Sequence, residues 1–252
     1  MSQENWLGLM IGNSRLHWAY FADNQLQKTW NTLKGDSLRE LEDIIPPDIK
    51  NYLTPEIPLY VASVVPSATR LYLQLPQTTI IDVQAIPLQG IYKTMGCDRT
   101  LALWGGGCRY KFPCLVIDSG TALTFTGANE NRELVGGAIL PGVKLQMETL
   151  FFNTAALPEV EVLEKFVPRW AKDTPNAIQS GVIYTILGGI KGFIDDWLDK
   201  YPSSSIILTG GDTFLLKQYF QKIYPLLAEQ IIFDSDLIFY GMKEYKNIIK
   251  KS

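Results

Sequence analysis

Two short turns in the sequence combine glycine with polar side chains that can donate hydrogen bonds to phosphate groups. The first, Gly12-Asn13-Ser14, follows an apolar stretch that begins at Leu9, and the second, Gly120-Thr121-Ala122, follows the apolar stretch LVI, an aspartate and a serine. Glycine lets backbone N–H groups approach a ligand closely, and the neighbouring hydroxyl and amide groups add donors. A glycine turn also serves simply to reverse the chain, so one such turn is weak evidence by itself.

The two turns lie in a short internal repeat. Met10 aligns with Asp118 and Gly12 with Gly120, and each copy reads as an apolar strand, a small-residue turn and an alternating strand. Each copy closes at a polar turn, ADNQ in the first and GANE in the second. The repeat favours phosphate binding for both turns. It also shows that the first copy has methionine where phosphate chemistry normally brings a carboxylate to hold the metal.

Asp118 ends an otherwise apolar strand. A buried carboxylate without a partner is costly in free energy, so this position predicts a bound cation or several hydrogen bonds. The alternative is that Asp118 only caps the end of the strand.

The string MGCDRTLAL places Asp98 and Arg99 between a glycine and an apolar helix. An aspartate within hydrogen-bond distance of an alcohol can accept its proton, and an arginine can bind a substrate carboxylate. The competing interpretation makes Asp98 the N-cap of the helix and leaves Arg99 in solvent. Both interpretations stay open on this string alone.

A third glycine turn, LTGGD at Leu208 to Asp212, follows a predicted strand and precedes a predicted helix. Close backbone approach suits the adenosine end of a nucleotide, and ordinary turn use is the alternative. The single histidine, His17, lies in the return strand of the first repeat. We expect it to be packed or hydrogen-bonded and assign it no catalytic role.

Composition and charge limit the class of protein. The 252 residues are 46% hydrophobic and 19% charged, which is typical of an ordered globular protein. The net charge is −3 and the basic segment KEYKNIIKK is short, so we expect no nucleic-acid binding and a solvated tail. The polar start MSQEN and the absence of an apolar run near the roughly 20 residues that cross a bilayer predict a cytoplasmic protein without a membrane segment.

The cysteines are Cys97, Cys108 and Cys114, an odd number with no CxxC spacing. This pattern predicts neither a disulfide framework nor a zinc site. We expect buried, reduced thiols.

Strand and helix patterns divide the chain into two α/β halves, residues 1–111 and 112–252. In the first half, LYVASVVP and TTIIDV predict strands and SLRELEDII predicts an amphipathic helix. In the second half, GGAILPGVKLQMETLFFNTAAL predicts a turn into a helix, Ala177 to Leu198 a long helix, and SSIILTGGD a strand ending in a glycine turn. One phosphate hairpin opens each half, which predicts a duplicated protein whose halves face one another across a cleft.

Several strings resemble, in the same order along the chain, the motifs of the type III pantothenate kinases. IGNS is similar to the family's D-I-G-N-T turn, MGCDR to its G-x-D-R loop and IDSGTALTF to its D-x-G-T-A-x-T-F hairpin. SVVP, GGAILPG, TAALP and DTPNAIQSG resemble further motifs of the family, and the resemblance covers nearly the whole chain. It implies the duplicated ribonuclease H-like/actin-like ATPase fold of the acetate and sugar kinase superfamily, with the active site in the cleft.

The resemblance implies transfer of a phosphoryl group from ATP to the terminal hydroxyl of pantothenate, the first step of coenzyme A synthesis. Asp98 would accept the hydroxyl proton. Pantothenate would contact residues of two subunits of a homodimer, Thr174 coming from the partner: Tyr92, Gly96, Cys97, Asp98, Arg99 and Thr174. The ATP phosphates would contact the two hairpins: Gly12, Asn13, Ser14 and Thr121. Asp118 would bind the monovalent cation, K⁺ or NH₄⁺, and Mg²⁺ would accompany ATP.

Two positions depart from the family pattern. Met10 stands where the family usually has an aspartate near the metal, and Cys97 is a modest change in the substrate loop. Water, Asp118 or the phosphates themselves would then replace the missing carboxylate as metal ligands.

Two alternative functions remain at this level. One is a non-catalytic relative that binds nucleotide and acts as a regulatory or accessory partner, as the missing carboxylate would suggest. The other is a kinase of the same superfamily that acts on another small hydroxy-carboxylate. Retention of Tyr92, Asp98, Arg99 and Asp118 favours an enzyme, because a protein that only binds nucleotide has no need of the acceptor loop.

Overall fold

The structure is a computed structural model that describes residues 5–33, 47, 57–75, 77–161 and 166–250. The chain forms two compact units. Unit 1 comprises Met1–Pro87, Ile91–Gly105 and Ile238–Ser252, and unit 2 comprises Leu88–Gly90 and Gly106–Leu237. The predicted division into residues 1–111 and 112–252 stays a prediction, as does the cleft. The helix predicted for SLRELEDII lies outside the described residues.

Unit 1 contains a five-stranded sheet in the order β3-β2-β1-β4-β5. Its strands are β1 (Trp6–Ile11), β2 (Leu16–Ala22), β3 (Gln25–Thr32), β4 (Leu59–Ser63) and β5 (Thr78–Ile80). The first three form an antiparallel meander, and β4 and β5 extend the sheet in parallel. The predicted hairpin and the strands predicted from LYVASVVP and TTIIDV are therefore present.

Unit 2 repeats this arrangement. Its strands are β6 (Cys114–Ser119), β7 (Ala122–Ala128), β8 (Leu134–Pro141), β9 (Ser205–Thr209) and β10 (Ile231–Phe233). The order β8-β7-β6-β9-β10 again joins an antiparallel meander to two parallel strands. The duplication predicted from two short hairpins thus extends to the topology of both sheets. Strand β8 comes from GGAILP, which the sequence pattern predicted only as a turn.

Helices connect the strands in each unit. They are α1 (Pro66–Tyr72), α2 (Cys97–Tyr110), α3 (Val143–Phe152), α4 (Thr174–Lys200), α5 (Thr213–Ile223), α6 (Pro225–Ala228) and α7 (Leu237–Ile249), and a 3₁₀ turn covers Val83–Ala85. Proline at the first position of α1 ends the preceding extended segment and is compatible with a helix start, because its missing N–H would have no helical partner there.

The core of unit 1 follows the alternation of its strands. Leu7, Leu9 and Ile11 on β1 pack with residues of β2 that alternate in the same way, which are Leu16, Trp18 and Tyr20. Successive side chains of a strand point to opposite faces, so Gly8 and Met10 lie on the other face of β1. A side chain at position 8 would contact Phe239 and Met242 of α7.

Helix α4 is the long core helix of unit 2. Asp173 caps it by accepting a hydrogen bond from the Asn176 N–H at 3.0 Å. Its buried apolar side chains recur at helical spacing: Ile178, Val182, Ile183, Ile186, Leu187, Ile190 and Ile194. Among the described residues it is the one helix long and apolar enough to cross a membrane, and half of its most apolar stretch is buried in the protein. A buried core helix can have the same length and hydropathy, so this finding is weak evidence for a membrane span. It does show that the expectation of no apolar run near that length was too strict.

The basic tail is not the solvated end that the sequence predicted. Residues 243–249 of this segment form the last turns of α7, where Tyr245 is buried and Lys246 is only 1% exposed. The Lys246 ammonium lies 5.3 Å from the ring centroid of Trp6, and burial lowers its pKa. Tyr219 and Phe220 of α5 are buried, and Tyr224 at the end of this helix is partly buried.

Two glycine substitutions test the packing of these helices. A Cβ at Gly241 of α7 would overlap the carbonyl oxygen of Leu101, which belongs to the backbone of α2 and cannot rotate away. Gly241→Ala is expected to lower the free energy of unfolding by about 1–3 kcal/mol. The matched control is Gly192→Ala in α4, where no atom lies within 4 Å, and this change should stabilise by about 0.5–1 kcal/mol. Thermal melts that rank the two variants in the opposite order would contradict this packing.

Candidate active site

Asp98 lies in the first turn of α2. Its Oδ1 accepts a hydrogen bond from the Arg99 N–H at 2.8 Å, rather than from the N–H groups two or three residues ahead that an N-cap would use. A Cβ at Gly96 would overlap Oδ1, so glycine at this position leaves space for the carboxylate. The carboxylate is therefore positioned by its own loop and is not used as a simple cap.

The environment of Asp98 favours its protonated form. Burial raises the pKa of the carboxyl group, and the Arg99 N–H and the Arg99 positive charge only partly oppose this effect. A carboxylate with a raised pKa binds a proton more strongly than an ordinary surface aspartate. Asp98 is thus a stronger base once it is ionised.

Arg99 is held beside this base. Its Nη1 donates a hydrogen bond to the Tyr92 hydroxyl oxygen at 2.8 Å. The arginine is 6% exposed whereas the tyrosine is 45% exposed, so the pair runs from the interior of unit 1 to its surface. A guanidinium group held in this way can bind a carboxylate with little loss of side-chain entropy.

Cys97 precedes Asp98 and its thiol is largely buried. Burial, and then the neighbouring Asp98 charge, raise the pKa of the thiol to about 12, although hydrogen bonds to backbone groups, including Ser63, oppose the shift. The thiol is therefore neutral near pH 7. Cys114 is buried with a pKa of about 12, but Cys108 is exposed and Cys97 as a whole residue is of intermediate exposure. The expectation of three buried thiols is therefore wrong at Cys108 and only partly met at Cys97.

The first hairpin joins β1 and β2 through a tight turn. The Gly12 N–H donates to the Arg15 carbonyl at 3.1 Å, and Asn13 and Ser14 are exposed at the tip. The turn is linked to the Gly96–Arg99 segment through Val64, which follows β4. The Val64 N–H donates to the Ile11 carbonyl, and a side chain at Gly96 would contact Val64. The SVVP segment thus contacts both the first turn and Gly96. Its position after a predicted strand is the one feature of the sequence that could have indicated this.

Met10 lies just before this hairpin and is 4% exposed. It pairs with His17 on β2 and with Ala62 on β4. Burial lowers the pKa of His17, with a hydrogen bond to Asn31 opposing, so this neighbour is a packed, hydrogen-bonded residue as expected. The described residues contain no group of three or more His, Cys, Asp or Glu side chains that could hold a metal ion.

The second hairpin lies in unit 2, between β6 and β7. The Gly120 N–H donates to the Ala122 carbonyl, and the Gly142 N–H donates to the Thr121 carbonyl, both at 2.9 Å. A Cβ at Gly142 would overlap the Gly120 carbonyl oxygen, so the start of α3 packs directly against the backbone of the turn. A helix N-terminus offers unpaired N–H groups beside these donors. The glycine before α3 was visible in the sequence only as part of a turn.

Asp118 is half-buried at the carboxyl end of β6. It pairs with Thr209 at the end of β9, and the LTGGD turn follows directly. Gly210 has a φ of +94°, and a Cβ there would overlap Asp118 Oδ1. This part of unit 2 therefore brings together Asp118 and the third glycine turn, which are far apart in the sequence.

Thr174 begins α4 and is exposed. It contributes to an open depression of about 580 Å³, whose other lining residues are Leu157, Ala171, Lys172, Asp173, Ala177 and Ile178. Neither Asp98 nor Asp118 lines this depression.

Sequence comparison identifies one family. A family model described as type III pantothenate kinase matches residues 6–196. The type III pantothenate kinase of Nostoc sp. (strain PCC 7120) is 44% identical over 261 aligned residues, which cover 96% of this chain and 94% of that protein.

Structural comparison identifies the fold. A conserved putative Baf family transcriptional activator from Campylobacter jejuni superposes with a TM-score of 0.61 at 22% identity, covering 97% of this chain and 98% of that one. MreB5 of Spiroplasma citri bound to ADP superposes with a TM-score of 0.53 at 11% identity, covering 98% of both chains. These likenesses confirm the predicted duplicated actin-like α/β fold.

The burial of Cys97 has a measurable consequence. Iodoacetamide at pH 8 is expected to modify the exposed Cys108 in the folded protein and to leave Cys97 and Cys114 unmodified, because alkylation requires an accessible thiolate. Mass spectrometry of the peptides measures this difference, and protein unfolded in urea, where all three should react, is the control. Alkylation of Cys97 at the rate of Cys108 would contradict the buried loop.

Proposed function

Because this chain belongs to the type III pantothenate kinase family, we propose that it transfers the γ-phosphoryl group of ATP to the terminal hydroxyl of pantothenate, the first step of coenzyme A synthesis. The observation that carries this reaction is the substrate loop of unit 1, where a carboxylate with a raised pKa lies beside a buried guanidinium group. Phosphoryl transfer to an alcohol needs mainly positioning, a base and positive charge at the phosphate oxygens.

In this proposal Asp98 is the general base that accepts the hydroxyl proton of pantothenate. Arg99 binds the pantothenate carboxylate and Tyr92 holds the guanidinium group, as their 2.8 Å hydrogen bond supports. Gly96 and Cys97 form the rest of the substrate loop, and Gly96 leaves the space that the Asp98 carboxylate occupies. The neutral thiol of Cys97 contributes surface to the pocket and takes no part in proton transfer.

The ATP phosphates bind to the two glycine hairpins. Gly12, Asn13 and Ser14 contact the phosphates from the first hairpin, with Asn13 and Ser14 as the donors because the Gly12 N–H is used inside the turn. This hairpin is joined to the substrate loop through Val64. Thr121 donates from the second hairpin. The backbone hydrogen bonds that hold both turns support this role, since donors fixed before the substrate binds lose little entropy on binding.

Two kinds of cation complete the proposal. Asp118 binds the monovalent cation, K⁺ or NH₄⁺, and its half-buried carboxylate at the end of an apolar strand fits a cation partner. Mg²⁺ is commonly held by phosphate oxygens, water and one or two carboxylates, so the lack of an acidic cluster among the described residues fits a metal that arrives with ATP. When bound, the cations offset the negative charge that develops on the phosphate oxygens.

The active form in this proposal is a homodimer in the cytoplasm. Thr174 of the partner subunit contacts pantothenate and closes the pocket. The exposed position of this threonine on an open depression supports the proposal, because a second surface is needed to enclose a ligand there.

Replacement of the base tests the mechanism. Asp98→Asn keeps the shape of the side chain but cannot accept the hydroxyl proton, so kcat is expected to fall about 10²–10⁴-fold with ATP affinity nearly unchanged. The wild-type enzyme should also lose activity towards acid pH at a higher pH than an ordinary aspartate would give, because the ionised form is active and its pKa is raised. The matched control is Asp82→Asn, which changes another aspartate of unit 1 that accepts a backbone N–H.

Coupled ADP-release assays distinguish the outcomes. Turnover should require pantothenate and Mg²⁺ and should increase with K⁺ or NH₄⁺. Near-normal kcat in Asp98→Asn would reduce Asp98 to a structural residue. A wild-type protein that binds ATP but shows no turnover with any cation would favour the non-catalytic alternative, and turnover only with another hydroxy-carboxylate would favour the other kinase.

Placing a carboxylate at position 10 tests the effect of Met10, which stands where the family usually has an aspartate. Met10→Asp is expected to lower the Mg²⁺ concentration for half-maximal rate, because a hard oxygen ligand is added beside the phosphates. The buried charge should cost about 1–3 kcal/mol of stability without MgATP. Mg²⁺ titrations of the rate and thermal melts measure both effects, with Met10→Leu as the apolar control. Equal destabilisation with and without MgATP, and an unchanged titration, would show that this side chain faces only the core.

A further inference from the structure

Two hydrogen bonds fasten the LTGGD turn to the end of β6. The Ser119 hydroxyl donates to Asp212 Oδ2 at 2.9 Å, and the Asp212 N–H donates to the Ser119 carbonyl, also at 2.9 Å. Ser119 is fully buried, and the two residues are 93 positions apart in the chain. One residue of the second hairpin therefore holds both the side chain and the backbone of the residue that ends the turn.

The carboxylate of Asp212 does not cap the helix that follows it. Asp212 is the N-cap of α5, where aspartate commonly accepts a hydrogen bond from the backbone N–H two or three residues ahead. Its side chain makes no such bond. Helix stability alone would favour the capping bond. The hydrogen bond that the carboxylate accepts from Ser119 instead points to a different use for this side chain.

The held turn lies directly against the proposed cation ligand. Gly210 adopts a left-handed φ of +94°, and any side chain there would overlap Asp118 Oδ1 and the Ser119 carbonyl. The Thr213 hydroxyl donates to the Gly210 carbonyl at 2.7 Å and fixes the other side of the turn. The carboxyl ends of adjacent parallel strands are where open α/β sheets bind ligands, and β6 and β9 end here.

We infer that Asp212 is a positioning residue for the nucleotide, because its hydrogen bond with Ser119 fixes the Gly210-Gly211 turn against the Asp118 carboxylate. The turn then meets the adenosine side of a nucleoside triphosphate at a set distance from the hairpin that binds its phosphates. This role rests on the proposed function, in which Thr121 and Asp118 act at the phosphate side. Neither Ser119 nor Asp212 touches the reacting atoms.

The experiment removes the hydrogen bond from either end. Ser119→Ala and Asp212→Ala are each expected to weaken binding of a non-hydrolysable ATP analogue by about three- to tenfold, and to raise the KM for ATP with a smaller change in kcat. Asp212→Asn keeps an oxygen that can accept from the Ser119 hydroxyl, so it should bind the analogue within about twofold of wild type. Calorimetry of analogue binding gives a readout that does not depend on turnover.

Ser205→Ala is the matched control. Ser205 is also a buried serine, its hydroxyl donates to the Tyr110 carbonyl at 3.1 Å, and it pairs with Cys114 at the opposite end of β6 and β9. Its loss should lower the melting temperature about as much as Ser119→Ala does and leave analogue binding unchanged.

Each outcome decides the inference. Equal analogue affinity in wild type, Ser119→Ala and Asp212→Ala would overturn it and leave the hydrogen bond a structural one. Asp212→Asn as weak as Asp212→Ala would also overturn it, since charge and not the hydrogen bond would then matter. If Ser119→Ala does not fold, the two Asp212 variants decide by the same comparison.

Failure of the proposed function has a different signature. A wild-type protein that binds the analogue and loses affinity in Ser119→Ala, but transfers no phosphoryl group to pantothenate, supports the positioning role and contradicts the kinase. A wild-type protein that does not bind the analogue overturns both.

Discussion

Parallel pairing of β1 with β4 and of β6 with β9 fixes where the candidate functional residues of each unit lie. In a parallel pair both strands run the same way, so the segments that follow them begin at one edge of the sheet. In unit 1 this edge brings the first hairpin and the Asp98 loop to Val64. In unit 2 it brings the second hairpin and the LTGGD turn to Asp118. The repeated sheet therefore creates two related sites from one arrangement of strands.

The raised pKa of Asp98 makes the stability of the folded protein depend on pH. Its pKa is raised in the folded protein, so the folded state binds the proton more tightly than the unfolded chain does. The contribution of this group to stability is greatest below the unfolded pKa and declines as pH rises through the folded pKa. Burial of the ionised Asp98 carboxylate therefore destabilises the fold, and the Arg99 guanidinium only partly offsets this cost.

The two hairpins differ in the polar and charged groups near their turns. The second hairpin includes Asp118. Gly142 and Gly210 pack against it so closely that a side chain at either position would overlap it. The first hairpin has a buried thioether at Met10 and exposes Asn13 and Ser14 at its tip. A carboxylate therefore lies beside the turn in unit 2, whereas the hairpin of unit 1 presents an amide and a hydroxyl group at its tip.

The sequence by itself determined the features that depend on neighbours along the chain. Alternating strands, glycine turns and the helical spacing of α4 are local patterns, and one short internal repeat indicated the duplication of the sheets. Tertiary structure alone decided which residues meet from distant positions, such as Ser119 with Asp212, and how much water reaches each side chain. Cys108 is exposed, Cys114 is buried and Lys246 packs against the Trp6 ring because packing between elements sets burial, and burial in turn raises the pKa of Asp98. Residue type and spacing carry no direct record of that packing.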